Sequence, residues 1–206
     1  MTDLRPDLKI IANFVPAGSR VLDLGCGDGA LLDYLVHQKA AKGRGIELGE
    51  ASMLTCVRRG LSVRQGNLQE GLGDYPDRSF DYVVLSQTLQ EAHETVAVLR
   101  EALRVGRFVV ASFPNFGHWK ARLQLLVTGR APVTGSLPYQ WYDTPNVHSL
   151  TIKDFRAFTR DQGMRIVNQF YLGEKEHLRF WPNLRAAYGV FVLEKVAAPV
   201  ESGTVE

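Results

Sequence analysis

An acid and three glycines occur together where a short apolar segment gives way to an amphipathic one. The acid is Asp23, and the glycines are Gly25, Gly27 and Gly29. Glycine permits positive φ and lets a ligand approach the main chain without meeting a Cβ. An apolar run, then glycines, then an amphipathic run is typical of a strand, a turn and a helix. The sequence therefore predicts a junction that holds a nucleotide-like ligand.

Two classes of ligand fit this loop. Residues 25–30 match the dinucleotide pattern G-x-G-x-x-A, in which a pyrophosphate rests on the helix N-terminus. The match to D-x-G-x-G-x-G is better, because Asp23 would repel a pyrophosphate but attract an ammonium group. A second acid, Glu47, follows the strand-like residues 43–46 and can reach both hydroxyls of a ribose. These residues favour a ligand with a cationic amino-acid moiety and a ribose.

Composition excludes several classes of protein. The chain has 206 residues, 45% of them hydrophobic and 22% charged, which suits one core of ordinary size. A formal charge of +2 with interspersed acids and bases gives no strong field for nucleic acid or membrane. We expect a cytoplasmic protein without a membrane span or secretory signal. The cysteines and histidines lack metal-binding spacing, so no metal site is predicted.

Alternating strand-like and helix-like segments predict an α/β fold with a mostly parallel sheet and helices on both faces. The predicted strands are 20–24, 43–47, 61–65, 80–85, 105–112, 164–172 and 187–193. The predicted helices are 5–14, 29–38, 50–59, 92–104 and 116–127, with another opening at Thr151 through a side-chain cap. We expect one domain over residues 1–195 and a disordered tail at 196–206.

Residues 113–150 form an insertion rich in proline and aromatic side chains, a composition that makes a stiff loop with a large apolar surface. One interpretation is a lid packed on its own sheet. The other is a protein contact, since Trp and Tyr concentrate at interface centres. The residues predicted on this partner or acceptor side are Trp119, Tyr139, Trp141, Tyr142 and His148. No catalytic residue is assigned.

Four segments resemble the methionine-biosynthesis protein W (MetW) family, within the class I S-adenosylmethionine-dependent methyltransferase-like superfamily. They are residues 23–29, 85–90, 113–116 and 139–148. The first motif is shared across the superfamily, whereas the Pro-Asn-Phe and Trp-Tyr-Asp-Thr-Pro-Asn segments are far more specific. The resemblance covers nearly all of residues 1–195. It implies a Rossmann-like seven-stranded sheet with the last strand antiparallel, and S-adenosylmethionine or S-adenosylhomocysteine as the cofactor.

The resemblance also implies which residues bind that cofactor. The loop at 23–29 would face the methionine moiety, Glu47 the ribose, and Gly66-Asn67-Leu68 the adenine. Cys26 would fill space beside the ligand, and Ser86 and Gln87 would lie beside the methionine moiety. The cofactor-binding residues so predicted are Asp23, Gly25, Cys26, Gly27, Gly29, Glu47, Leu48, Asn67, Leu68, Ser86 and Gln87.

Three functional hypotheses follow. The resemblance implies a role in methionine biosynthesis beside homoserine O-acyltransferase (MetX), which the methyltransferase-like protein would support or activate. The alternative is an active methyltransferase that acts on an unidentified small molecule, by holding the methyl in line with a nucleophile. A dehydrogenase with a dinucleotide site is the third, and Asp23 together with the lack of an evident proton relay argues against it.

Overall fold

The computed structural model describes residues 4–68, 72–173 and 177–196. The strands are β1 (Arg20–Leu24), β2 (Lys42–Glu47), β3 (Val63–Gln65), β4 (Phe80–Ser86), β5 (Gly106–Pro114), β6 (Met164–Leu172) and β7 (Tyr188–Lys195). The helices are α1 (Pro6–Phe14), α2 (Ala30–Lys39), α3 (Glu50–Arg58), α4 (Thr95–Val105), α5 (Trp119–Thr128), α6 (Ile152–Asp161) and α7 (Pro182–Arg185), with a 3-10 helix at Leu89–Glu91. The last part of the predicted disordered tail, 197–206, lies outside the described residues.

The strands form one seven-stranded sheet in the order β3-β2-β1-β4-β5-β7-β6. Strands β1 to β5 pair in parallel, and β7 runs antiparallel to both of its neighbours, β5 and β6. The predicted Rossmann-like sheet with an antiparallel last strand is therefore confirmed. Strand order reverses between β1 and β4, which is where ligands bind in open α/β sheets.

Both faces of the sheet are covered, and the alternation of side chains along β1 and β4 shows how. Leu22 and Leu85 point into the cluster that contains α4 and α6 residues such as Leu99 and Phe155. Val21 and Val84 point the other way, into the cluster that includes residues of α1 and α2. The apolar strands of the sequence are thus buried on both sides, as parallel sheets require.

Local chemistry sets the ends of several elements. Helix α2 begins after Gly29, whose φ of +78° is left-handed. At the start of α6, Thr151 Oγ1 accepts the Asp154 N–H at 3.1 Å, which is the predicted side-chain cap. Strand β3 is shorter than the predicted 61–65, because Leu61 turns into a small cluster with Leu32 and Cys56. Within the described ranges, no helix is long and apolar enough to cross a bilayer.

Candidate functional site

The carboxyl ends of the central strands open onto a cavity of about 640 Å³. Gly25 and Gly27 follow β1, Glu47 ends β2, Ser86 ends β4 and Pro114 ends β5, and all five residues line this cavity. A site here agrees with the general position of ligands at the switch point of such sheets. We call it the cofactor cavity.

The three glycines of the loop have different reasons to be glycine. All have positive φ, of +72°, +56° and +78° for Gly25, Gly27 and Gly29. A Cβ on Gly25 would lie 2.7 Å from Thr88 Oγ1, and one on Gly29 would lie 2.7 Å from Leu61 Cδ1. A Cβ on Gly27 would meet no atom within 4 Å. Gly25 and Gly29 therefore permit close packing, whereas Gly27 leaves open space beside the cavity.

Asp23 lies under this loop with only 2% of its surface exposed. Its Oδ1 has no hydrogen-bond partner among the described residues. Burial raises the pKa of its carboxyl to about 7, Glu47 adds to the rise by repulsion, and Arg5 opposes it. A buried carboxylate is costly unless a donor or a cation pairs with it. The orphaned oxygen fits the ammonium group of S-adenosylmethionine.

Glu47 joins the glycine loop to the end of β2. Its Oε2 accepts the Gly27 N–H at 2.8 Å, and its Oε1 accepts the Gly49 N–H at 2.8 Å. Each carboxylate oxygen has two acceptor positions, so both oxygens can still accept from a ribose hydroxyl. Two backbone bonds hold the carboxylate in place before any ligand binds.

The remaining predicted cofactor residues divide into two groups. Leu48, Asn67, Leu68 and Gln87 line the cofactor cavity, as do Gly25, Gly27, Glu47 and Ser86, whereas Asp23 and Gly29 are not among its lining residues. Cys26 lies behind the wall and packs with Leu32, Cys56 and Leu61. Burial, followed by the negative charge of Asp23, raises the pKa of the Cys26 thiol. Cys26 is therefore a packed, neutral thiol, and its role beside the ligand stays a prediction.

Of two residues at the start of α1, one lines the cavity and the other bonds to residues of its wall, and the sequence pattern singles out neither. Asp7 is 2% exposed and accepts from Ser86 Oγ at 3.2 Å, Gln87 Nε2 at 3.3 Å and Ser112 Oγ at 3.0 Å. Arg5 donates to Asp7 Oδ1 at 3.3 Å and to Ser86 Oγ at 3.0 Å, and it lines the cavity. The guanidinium is suited to a ligand carboxylate. The sequence signal for these residues is a base at the N-cap of α1 and an acid in its first turn.

The insertion contacts the site through the 3-10 helix. The Gln90 carbonyl accepts the N–H groups of Val147 at 2.8 Å and His148 at 3.0 Å. Tyr139 and Asn146 line the cofactor cavity and also a smaller cavity of about 260 Å³ beside it. The insertion therefore covers the site, as a lid would.

Other aromatic residues of the insertion face outward. Trp141 and Tyr142 are 74% and 72% exposed and touch each other edge to face, with ring centroids 5.6 Å apart. Trp141, Tyr139 and His148 share the smaller cavity, whereas Trp119 begins α5 and Tyr142 lies outside that cavity. The insertion thus carries residues that line a cavity and residues that are exposed, and Trp141 is both.

Helix α5 is almost without packing partners. Of its residues, Ala121 alone is buried. Leu126 and Val127 are 83% and 72% exposed, and Leu123 and Leu125 are also exposed. We call these four side chains the α5 surface. Apolar side chains grouped in this way commonly mark a site of interaction.

No cluster of three or more His, Cys, Asp or Glu side chains suited to a metal ion occurs in the described part of the chain.

Several solved structures with this fold are described as S-adenosylmethionine-dependent methyltransferases. One from Archaeoglobus fulgidus aligns with a TM-score of 0.69 and 14% identity, covering 91% of both chains. A possible histamine N-methyltransferase from Thermotoga maritima aligns with a TM-score of 0.65 and 16% identity, covering 92% of this chain and 87% of that one. At these identities, the likeness shows the fold.

Sequence comparison is more specific. A bifunctional methionine biosynthesis protein MetXA/MetW from Rhodopirellula baltica is 38% identical over 162 residues, which are 74% of this chain and 26% of that protein. A ubiquinone biosynthesis O-methyltransferase from Pseudomonas fluorescens is 31% identical over 94 residues, 43% of this chain and 40% of that enzyme. The chain thus spans about a quarter of the first relative and less than half of the second. The model of the family described as methionine biosynthesis protein MetW matches residues 5–193, and the chain belongs to that family.

Proposed function

We propose that this protein binds S-adenosylmethionine or S-adenosylhomocysteine and associates with homoserine O-acyltransferase (MetX), which it supports or activates in methionine biosynthesis. The observation that carries the proposal is the α5 surface, a group of exposed apolar side chains on the helix that follows β5, a strand bordering the cofactor cavity. A protein that only turned over a small molecule would not require such a surface.

The cofactor half of the proposal depends on three charged groups, of which Arg5 and Glu47 line the cofactor cavity and Asp23 is buried beside its glycine loop. Asp23 offers a buried oxygen to the ammonium group, and Glu47 offers two held oxygens to the ribose. Arg5 lines the same cavity and is suited to the carboxylate. A zwitterionic amino acid joined to a ribose satisfies all three, whereas a pyrophosphate would be repelled by both acids.

The proposed association with the acyltransferase is supported by exposed apolar side chains and by one related protein. The α5 surface together with Trp141 and Tyr142 leaves large apolar side chains in water, and such residues are typical of the centres of interfaces. A relative carries the names MetXA and MetW on one chain, which supports a physical association between the two functions. Fusion raises the effective concentration of one part beside the other.

Gln90 contacts both the cofactor cavity and the insertion. Its side chain lines the cofactor cavity, and its carbonyl holds the insertion through Val147 and His148. A ligand that contacts the 3-10 helix can thereby favour one arrangement of the insertion. Coupling of this kind would link acyl transfer to the level of S-adenosylmethionine, the end product of the pathway.

The decisive experiment is co-purification of this protein with the acyltransferase of the same cell, followed by an assay of acyl transfer with and without it. We expect a stable complex and a faster reaction. The matched control is the double variant Leu126→Gln, Val127→Thr, which should fold but not activate. Absence of a complex together with an unchanged rate would refute the association.

Methyl transfer to a small molecule is the second candidate. The smaller cavity beside the cofactor cavity favours it, as does the likeness to a ubiquinone biosynthesis O-methyltransferase. Incubation with methyl-labelled S-adenosylmethionine and cell extract should then label a low-molecular-weight product, and a Glu47→Ala variant should not. No labelled product across extracts would count against this candidate.

A further inference from the structure

A cleft of about 730 Å³ lies at the β6 edge of the sheet. Its lining residues come from α6 and α7, with Ile166 of β6, Trp181 before α7 and Arg122 of α5. The described residues that line it are all different from those that line the cofactor cavity. We call it the α6 cleft.

The charged side chains of the α6 cleft are all cations. Arg122, Lys153, Arg156 and Arg160 line it, and no aspartate or glutamate of the described residues does so. Arg160 pairs with Asp161, whereas Lys153 and Arg156 make no ion pair within the described ranges. The whole chain has a formal charge of only +2, so four cations around one cleft are a local concentration. Such a surface attracts an anionic partner.

The three cations of α6 are spaced along the helix. Lys153, Arg156 and Arg160 are three and then four residues apart, so they share one face, and all three are exposed. At a rise of about 1.5 Å per residue, this face extends over about 10 Å. A single phosphate would have to draw the outer two side chains together. Acids at the same spacing on a second helix can instead pair with each cation where it lies.

Apolar side chains line the same cleft. They include Ile152, Ile166 and Leu184, as well as Trp181, which is 75% exposed. Trp181 also has a left-handed φ of +50°, a conformation that glycine adopts more easily. Neither burial nor backbone preference therefore accounts for a tryptophan at this position. Exposed tryptophan is enriched among the residues that dominate protein interfaces.

We propose that the α6 cleft binds an amphipathic helix of another protein, with acidic side chains at i, i+3 and i+7 along one edge and large apolar side chains along the next. Helices of this kind commonly bind in grooves by their apolar face. The acids would pair with Lys153, Arg156 and Arg160, and the apolar side chains would contact Trp181. The cleft shares no described residue with the α5 surface or the cofactor cavity. The proposal is therefore independent of the acyltransferase and of the cofactor.

Two synthetic helical peptides of about 15 residues test the proposal. The first has glutamate at positions 1, 4, 8 and 11, leucine at positions 2, 5, 9 and 12, and alanine elsewhere. The second has glutamine in place of each glutamate. Fluorescence anisotropy measures the affinity of each labelled peptide for the full chain, and NMR at the Trp181 indole N–H reports where it binds. We expect the glutamate peptide to bind about tenfold more tightly, because each exposed ion pair contributes up to about fivefold, and added salt should reduce the difference.

The variant Arg156→Glu reverses the central charge of the α6 face. It should weaken binding of the glutamate peptide about tenfold or more, because an attraction is replaced by a repulsion. The matched control is Arg58→Glu, which changes an exposed arginine of α3, a helix that packs on β2 and β3 at the other side of the sheet. This control should bind the peptide as the parent does.

Three results would overturn the proposal. Equal affinities of the two peptides for the unaltered protein would do so whether or not the variants fold. An unchanged Trp181 indole signal on binding would place the peptide elsewhere. Tighter binding of a labelled single-stranded RNA of about ten nucleotides at the same indole would make the cleft a nucleic-acid site instead.

Discussion

When no ligand is bound, the surroundings of Asp23 disfavour its ionised form. Its carboxyl is buried, one oxygen has no partner among the described residues, and its pKa rises to about 7. Because the folded-state pKa is raised, its contribution to stability is present below the unfolded pKa near 4 and is lost as pH rises through about 7. An ammonium group beside it would favour the ionised form.

The first prediction concerns the pH dependence of cofactor binding. Affinity for S-adenosylmethionine should rise between about pH 5 and 7 as Asp23 ionises, and it should fall above about pH 8 as the ligand amine loses its proton. Calorimetry across this range, in buffers of different ionisation enthalpy, measures both the affinity and the proton released. A flat affinity from pH 5 to 7 would show that Asp23 does not face the ammonium group.

The second prediction separates binding from stability at the same residue. Asp23→Asn should lower cofactor affinity about tenfold or more and remove its rise with pH, because the neutral amide cannot pair with a cation. The ligand-free variant should melt no lower than the parent at pH 8, since the cost of a buried charge is removed. A melting temperature well below the parent would instead give Asp23 a structural role.

The third prediction concerns the ribose end. Glu47→Gln should weaken cofactor binding about tenfold, because a charged acceptor contributes about 1.5 to 3 kcal/mol per hydrogen bond and an amide contributes less. The exposed Glu50, in the first turn of α3, provides the matched control Glu50→Gln, which should bind as the parent does. Calorimetry that gave equal affinities for both variants would refute the assignment of the ribose.

At the scale of elements, the sequence predicts strands, turns and helix ends correctly where the local side-chain pattern alone determines them. The apolar run of β1, the glycines after it and the Thr151 cap of α6 all predict what the structure contains. Prediction failed where a contact between residues far apart in the sequence determines where a strand begins. Leu61 looks like strand by its type, but it precedes β3 and packs in a cluster with Leu32 of α2.

The same limit applies to the candidate site. Asp23 and Glu47 stand beside recognisable motifs, and so they could be predicted. Asp7 could not, because its partners Ser86 and Ser112 lie 79 and 105 residues away and no local pattern connects them. The cofactor-binding residues and the domain boundary at residue 195 stay predictions.

The fourth prediction compares two glycines in equivalent local conformations. Gly27 and Gly129 both have positive φ, and a Cβ on either would meet no atom within 4 Å. Replacement by alanine should therefore cost each variant a similar amount of stability, about 1 kcal/mol from the left-handed backbone. Only Gly27→Ala should also reduce cofactor affinity, since its methyl group would enter the cavity side of the loop. Equal affinities by calorimetry would contradict an approach of the ligand to Gly27.

At the scale of the whole molecule, the insertion connects the cofactor cavity to an exposed apolar surface. It contacts the 3-10 helix at Gln90 and lines the cavity through Tyr139 and Asn146, and it also carries the α5 surface. A few contacts therefore connect the cofactor cavity to the exposed side chains that would bind the partner. Thermodynamics requires the effect to act equally in both directions.

The fifth prediction follows from that reciprocity. The factor by which S-adenosylmethionine changes affinity for the acyltransferase should equal the factor by which the acyltransferase changes affinity for S-adenosylmethionine. Both factors can be measured by titration of the purified proteins, with Leu126→Gln, Val127→Thr as the control that binds the cofactor normally. A factor of one in both directions would mean that the two sites act independently.

The position of β7 inside the sheet determines when strand pairing can be completed during synthesis. This strand is the last in sequence, but it lies inside the sheet between β5 and β6 and pairs with both. While residues 188–195 are still in the ribosome, β5 and β6 each lack their shared neighbour, and Tyr188 has not reached the cofactor cavity that it lines. The nascent chain therefore presents two unpaired strand edges and an incomplete pocket until residues 188–195 have emerged, and unpaired edges of this kind favour aggregation.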